Sequence, residues 1–203
     1  MIYNIYLNII VKVFILGVYI LTGSIGSGKS EAQILFEKFN VSCFCADKIV
    51  RSLYNNSEVI LYMQNILPLC VTNGVINIEL LRETIFHNEK KMFEVEEFIQ
   101  PKVFKKFEEI VNSNKNKNTI LVLPTIKNNP FEKKYKVIYI TASQENRVKR
   151  LSTRKNYNMH LIKKIISYQD SIDIYKKNHD FLLDNNGSVK KLENSIKKLV
   201  KLL

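Results

Sequence analysis

The sequence predicts an α/β fold of three layers, with a parallel sheet of about five strands between two layers of helices. Short runs of apolar and β-branched residues alternate with segments of helical period, and a glycine-rich turn links the first such run to the first helix. The 203 residues suit one domain with room for an inserted helical part. Hydrophobic residues at 46% and charged residues at 25% sit near the average for folded proteins, which excludes a disordered or fibrous chain.

Residues 1–17 read as an N-terminal extension. Lys12 interrupts the oily stretch, and the apolar run 13–21 is far short of the ~20 residues a membrane span needs, so no membrane anchor is expected. Residues 18–21 form a buried strand ending at the glycine-rich turn, and Ala32, Leu35, Phe36 and Phe39 then recur on one helix face. A second short strand covers 42–46, and Asp47 stands where it can cap a helix carrying Ile49, Val50 and Leu53. From 56 to 112 the pattern predicts consecutive amphipathic helices without strands, punctuated by Pro68, Asn73-Gly74 and Pro101. Leu81, Ile85, Phe98, Val103, Phe107 and Ile110 face inward in that reading. The β-branched runs 119–123 and 136–141 suit central parallel strands. A basic helix begins near Ser143, another spans 159–177, residues 181–183 form the last strand, and a terminal helix runs from Ser188.

Gly23-Ser24-Ile25-Gly26-Ser27-Gly28-Lys29-Ser30 matches the P-loop pattern G-x-x-x-x-G-K-[ST], in the strand-to-helix setting the pattern needs. Glycines let the backbone turn so that successive N–H groups and a helix N-terminus meet the nucleotide phosphates. Lys29 supplies a point charge to the β- and γ-phosphates of the nucleotide, and the Ser30 hydroxyl is a Mg²⁺ ligand. The motif marks a nucleotide site and not a reaction, since GTPases, motor ATPases and small-molecule kinases share it.

Asp47, just past the second strand, is a candidate base for an attacking hydroxyl, or it merely caps a helix. Arg147, Lys149, Arg150 and Arg154 lie at helical spacing and form either a lid over transferring phosphates or a solvated basic face. The formal charge of +12, from 31 Lys and Arg against 19 Asp and Glu, attracts polyanions such as nucleotides. No basic stripe with interleaved aromatics stands out, so no nucleic-acid partner is expected. Cys43, Cys45 and Cys70 show neither zinc nor disulfide spacing, which fits a reducing cytoplasm. His87, His160 and His179 show no ligand spacing either.

Together these residues resemble the dephospho-coenzyme A kinase family, from about Val18 to the C-terminus. L-T-G-S-I-G-S-G-K-S looks like the family's start, and C-A-D-K-I-V-R-S-L like its D-A-D-x-I-x-R-x-L, which places Asp47 on the family's catalytic base. Asn73 to Ile76 with Leu80, Leu81 and Arg82, and the stretch Val95 to Pro101, resemble the acceptor-binding helical part, 56–112. Arg150 and Arg154 resemble the start of a lid, 143–177, whose closing glutamine is Gln169. The loop around Asn185 resembles the one near the adenine. Cys45 stands where the pattern has Asp, Gln100 where it has His, and Glu31 where it has Thr; the Glu31 N–H still faces phosphate while its carboxylate turns away. The resemblance implies a kinase domain over 18–203 that phosphorylates the ribose 3′-hydroxyl of dephospho-coenzyme A with ATP and Mg²⁺, as a monomer or weak homo-oligomer. The alternatives are a P-loop kinase for another small hydroxyl or nucleotide acceptor, and a nucleotide-binding protein with lost catalysis.

Overall fold

The computed structural model describes residues 17–125, 131, 134–153 and 159–203. Residues 1–16 of the 1–17 extension, and Arg154, lie outside the described residues. In chain order the elements are β1 (Val18–Thr22), α1 (Lys29–Lys38), β2 (Ser42–Cys45), α2 (Ala46–Leu53), α3 (Ser57–Ile66), β3 (Val71–Thr72) and β4 (Val75–Ile76). They continue with α4 (Ile78–Phe86), α5 (Glu89–Ser113), β5 (Thr119–Val122), β6 (Lys136–Thr141), α6 (Gln144–Ser152), α7 (Met159–Ile172), β7 (Phe181–Asp184) and α8 (Val189–Val200).

The main sheet has 5 strands in the order β2-β5-β1-β6-β7, with every pairing parallel. Its central strands β1, β5 and β6 are buried along almost their whole length, which is why they read as unbroken apolar runs. Alternate residues serve opposite layers. Leu21, Val122, Ile138 and Leu183 pack with Ala32 and Phe36 of α1 and Leu192 and Ile196 of α8, while Ile20, Leu121 and Val137 pack with Ile49 of α2, Met63 of α3 and Phe107 of α5. The inward residues expected of the helical part do join this second core, with Leu81, Val103 and Phe107 buried and Ile85, Phe98 and Ile110 partly so.

The structure departs from the sequence reading in several places. The stretch 56–112 contains a strand pair, β3 with β4, because Asn73 and Gly74 both adopt positive φ, 51° and 73°, and close a tight hairpin. Pro101 does not end a helix; it lies inside α5, at the cost of the one backbone hydrogen bond its ring cannot donate. The helix expected over 159–177 stops at Ile172, where Asp173 caps a separate 3-10 turn by accepting from the N–H groups of Tyr175 and Lys176. Asn56, Asn77 and Asn88 each accept a first-turn N–H and so start α3, α4 and α5, which gives part of the asparagine excess a structural use. Among the described residues no helix is long and apolar enough to cross a membrane.

Candidate active site

The segment from Gly23 to Ser30 leaves the C-terminal end of β1 and enters α1. Gly26 and Gly28 have φ of 78° and 104°, which L-residues rarely adopt. Space is as restrictive as the dihedrals, since a Cβ on Gly28 would stand 2.0 Å from Asn185 Nδ2 and one on Gly23 would stand 2.1 Å from the Ile140 carbonyl oxygen. Gly28 is also the N-cap of α1, and no side chain caps the helix there. The first-turn N–H groups, of Lys29, Ser30 and Glu31, form the positive end of the helix macrodipole. Lys29 Nζ folds back and donates to the Gly23 carbonyl at 2.5 Å and the Ser24 carbonyl at 3.4 Å. The Ser30 side chain is exposed at the start of α1, and Glu31 beside it is half-buried.

Elements distant in sequence hold this loop from outside. Gln169 Oε1 accepts the Ile25 N–H at 2.6 Å, so that amide of the motif is already engaged by α7. Arg147, buried, donates through Nε to the Ile25 carbonyl at 3.0 Å and through Nη1 to both oxygens of Asp170 at 2.9 and 3.1 Å. Asp170 and Asp173 both accept from the Ser24 hydroxyl, at 3.2 and 3.1 Å. Tyr139 donates to Asp173 at 2.7 Å, and burial, followed by that carboxylate, pushes its hydroxyl above the ordinary tyrosine range. On the opposite flank Asn185 Nδ2 donates to the Ser27 carbonyl at 2.8 Å. Arg150 reaches the carbonyls of Gly26, Ser27 and Asn185 at 3.1, 3.3 and 2.7 Å, so its guanidinium sits on the carbonyl side of the loop. A cavity of about 230 Å³ opens between the loop and the end of β6, lined by Ser24, Ser27, Thr141, Gln144, Arg147 and Asp170.

Asp47 lies in the first turn of α2, whose N-cap is Cys45, and its side chain is exposed and not a cap. The sheet register places Cys45 opposite Val122 and Val122 opposite Leu21, so Asp47 and the phosphate loop leave the same edge of the sheet. Two strand spacings, roughly 10 Å, separate their strands, which is room for a phosphoryl acceptor. Tyr54, at the end of α2, feels both Asp47 and Arg82 of α4; burial pushes its hydroxyl up, the Arg82 charge lowers it and the Asp47 charge raises it. Tyr54 is therefore within electrostatic reach of both Asp47 and Arg82. Tyr54 carries no motif by which it could be found from sequence. Gln100 lies half-buried in the middle of α5.

A glycine loop between a central parallel strand and a helix, carrying a lysine and a hydroxyl at its end, with a carboxylate on the same sheet edge, defines a P-loop kinase. Over residues 16–191 the sequence matches the family model described as dephospho-CoA kinase. The chain belongs to the dephospho-CoA kinase family. A dephospho-CoA kinase of Bartonella quintana is 29% identical over 179 residues, 86% of this chain and 90% of the relative. The solved dephospho-CoA kinase from Campylobacter jejuni superposes with a TM-score of 0.67 at 24% identity, over 91% of this chain and 95% of that one. A shikimate kinase from Acinetobacter baumannii shares the fold at a TM-score of 0.56 and 14% identity, over 92% of each chain.

Proposed function

We propose that this chain transfers the γ-phosphoryl group of ATP to the ribose 3′-hydroxyl of dephospho-coenzyme A, giving coenzyme A and ADP. The observation that carries the reading is the phosphate loop itself, open in backbone only at glycines and delivered to the uncapped start of α1. The N–H groups of Gly26 and of Gly28 through Glu31 cradle the phosphates, the Ser27 N–H being donated to the Ser24 carbonyl at 3.2 Å, and Lys29 moves from the Gly23 and Ser24 carbonyls to the β- and γ-phosphates. Ile25 contributes position and not an amide, because Gln169 holds its N–H. Asn185, 6% exposed and bonded to Ser27, shapes the adenine side. Arg150 braces the loop from its carbonyl side, and the role of Arg154 as a source of positive charge for the transferring phosphates rests on the resemblance to the family alone.

Asp47 orients the acceptor hydroxyl and takes its proton. A carboxylate suffices there because the transition state is loose, and proton removal comes late. The exposed Ser30 hydroxyl is a hard oxygen donor and fits Mg²⁺, which is held largely by phosphate oxygens and water and so needs no cage of carboxylates. Among the described residues no group of 3 or more His, Cys, Asp or Glu forms such a cage, in keeping with a metal shared with its nucleotide. Held by the Ser30 hydroxyl together with the nucleotide, Mg²⁺ would supply neutralisation of phosphate charge.

The direct test is to incubate the purified chain with Mg-ATP and dephospho-coenzyme A and to look for coenzyme A by mass spectrometry. A panel of other small hydroxyl acceptors run beside it decides the acceptor. ATP binding by calorimetry with no phosphorylated product from any acceptor would overturn the reading.

A further inference from the structure

The α6–α7 arm does more than flank the phosphate loop. Every part of Ile25 is held by it: the N–H by Gln169, the carbonyl by Arg147, and the side chain by the cluster of Leu151, Ile162 and Ile166. Within the loop, the Ser27 N–H donates to the Ser24 carbonyl at 3.2 Å and constrains the peptide before Ile25. The arm adds a second hold on that peptide through Gln169 and holds the peptide after Ile25 through Arg147. In a planar trans peptide the C=O of one residue points opposite to the N–H of the next. With the Ile25 carbonyl drawn outward to Arg147, the Gly26 N–H is turned inward, where phosphate sits. With the Ile25 N–H drawn outward to Gln169, the Ser24 carbonyl is turned inward, and Lys29 Nζ lies 3.4 Å from it.

Arg147 is itself held, since its side chain is 7% exposed and paired with Asp170, which also accepts from Ser24. These partners stand 122 to 146 residues from the loop in sequence. A strand–turn–helix needs none of them to form.

We propose that Gln169 and the Arg147–Asp170 pair are positioning residues that set the direction of the phosphate-binding amides, acting through the peptides on either side of Ile25. The proposal rests on the phosphotransfer reading only for its kinetic readout. Gln169→Met keeps length and packing but removes the acceptor; Gln169→Glu keeps an acceptor.

The experiment compares wild type with both variants by Mg-ADP calorimetry, by NMR exchange of the Ile25 amide, and by steady-state kinetics with each substrate varied. In wild type the Ile25 amide is protected without nucleotide. In Gln169→Met its exchange speeds up about fivefold, the scale of one ordinary hydrogen bond, and Mg-ADP binding weakens by a similar factor. KM for ATP rises while KM for dephospho-coenzyme A stays, and Gln169→Glu keeps the protection. Unchanged or tighter Mg-ADP binding in a folded Gln169→Met protein, or an equal rise in both KM values, would overturn the proposal. So would an unprotected Ile25 amide in wild type, a measurement that needs no variant to fold. A wild type that binds Mg-ADP yet makes no coenzyme A sinks the phosphotransfer reading and leaves the exchange and binding readouts to decide this one.

Discussion

Lys29 is a residue whose present contacts and proposed role use the same charge. Its ammonium bonds loop carbonyls now, and the phosphates of ATP offer it a stronger partner within the same reach. Lys29→Ala is expected to slow turnover by about a hundredfold or more, the scale for losing one preorganised charge stabiliser. Near-normal kcat in that variant would remove Lys29 from the mechanism. Cys43 behaves in the opposite way to a reactive group. Burial, and then the Glu37 charge, push its thiol up to about 12 from an ordinary 9.0. The thiolate is the reactive form, so Cys43 should resist iodoacetamide at pH 8, as read by peptide mass spectrometry, and become reactive only when the chain is unfolded. Its folded value exceeds its unfolded one, so the stability it lends is present below pH 9 and lost as pH rises toward 12.

At the scale of elements, the helix starts separate what a residue can do from what it does. Ser143 and Ser188 accept N–H groups at the starts of α6 and α8, as their sequence positions suggest. Cys45 occupies the same place before α2, with the extended backbone of an N-cap, φ −100° and ψ 128°, but makes no capping bond. Cys45→Asp is expected to add such a bond and a charge favourable to the helix dipole, raising stability by about 1 kcal/mol in urea denaturation. An unchanged midpoint would mean that the α2 start is not limited by its cap. The Asn73-Gly74 hairpin shows why the helical part was only partly legible. Each strand there has 2 residues, too short for an alternating pattern to register, although the turn dipeptide itself was visible.

Across the whole molecule, one apolar core joins the inserted helices to the sheet. Phe107 of α5 is 0% exposed, meets the Phe131 ring edge-on, and shares its cluster with Ile20 of β1 and Leu121 of β5. Phe107→Ala should therefore cost about 3–5 kcal/mol and lower the denaturation midpoint of sheet and insertion together. Loss of the insertion alone, with the sheet transition unmoved, would show that the two parts melt separately. The five strands of the main sheet, the order of the helices, the phosphate loop and the place of Asp47 just past the second strand were readable from residues in a row, because sterics, hydrophobic period and turn chemistry act over a few neighbours. The partners in the grip on the loop were not readable. Gln169, Arg147 and Asn185 were marked only by resemblance or by basic spacing, and Asp170 not at all; each acquires its partner in the loop only when the parallel sheet brings chain regions more than a hundred residues apart to one edge. A hydrogen bond has no local signature when its donor and acceptor are chosen by the packing of different layers, so that part of the site was decided by tertiary structure alone.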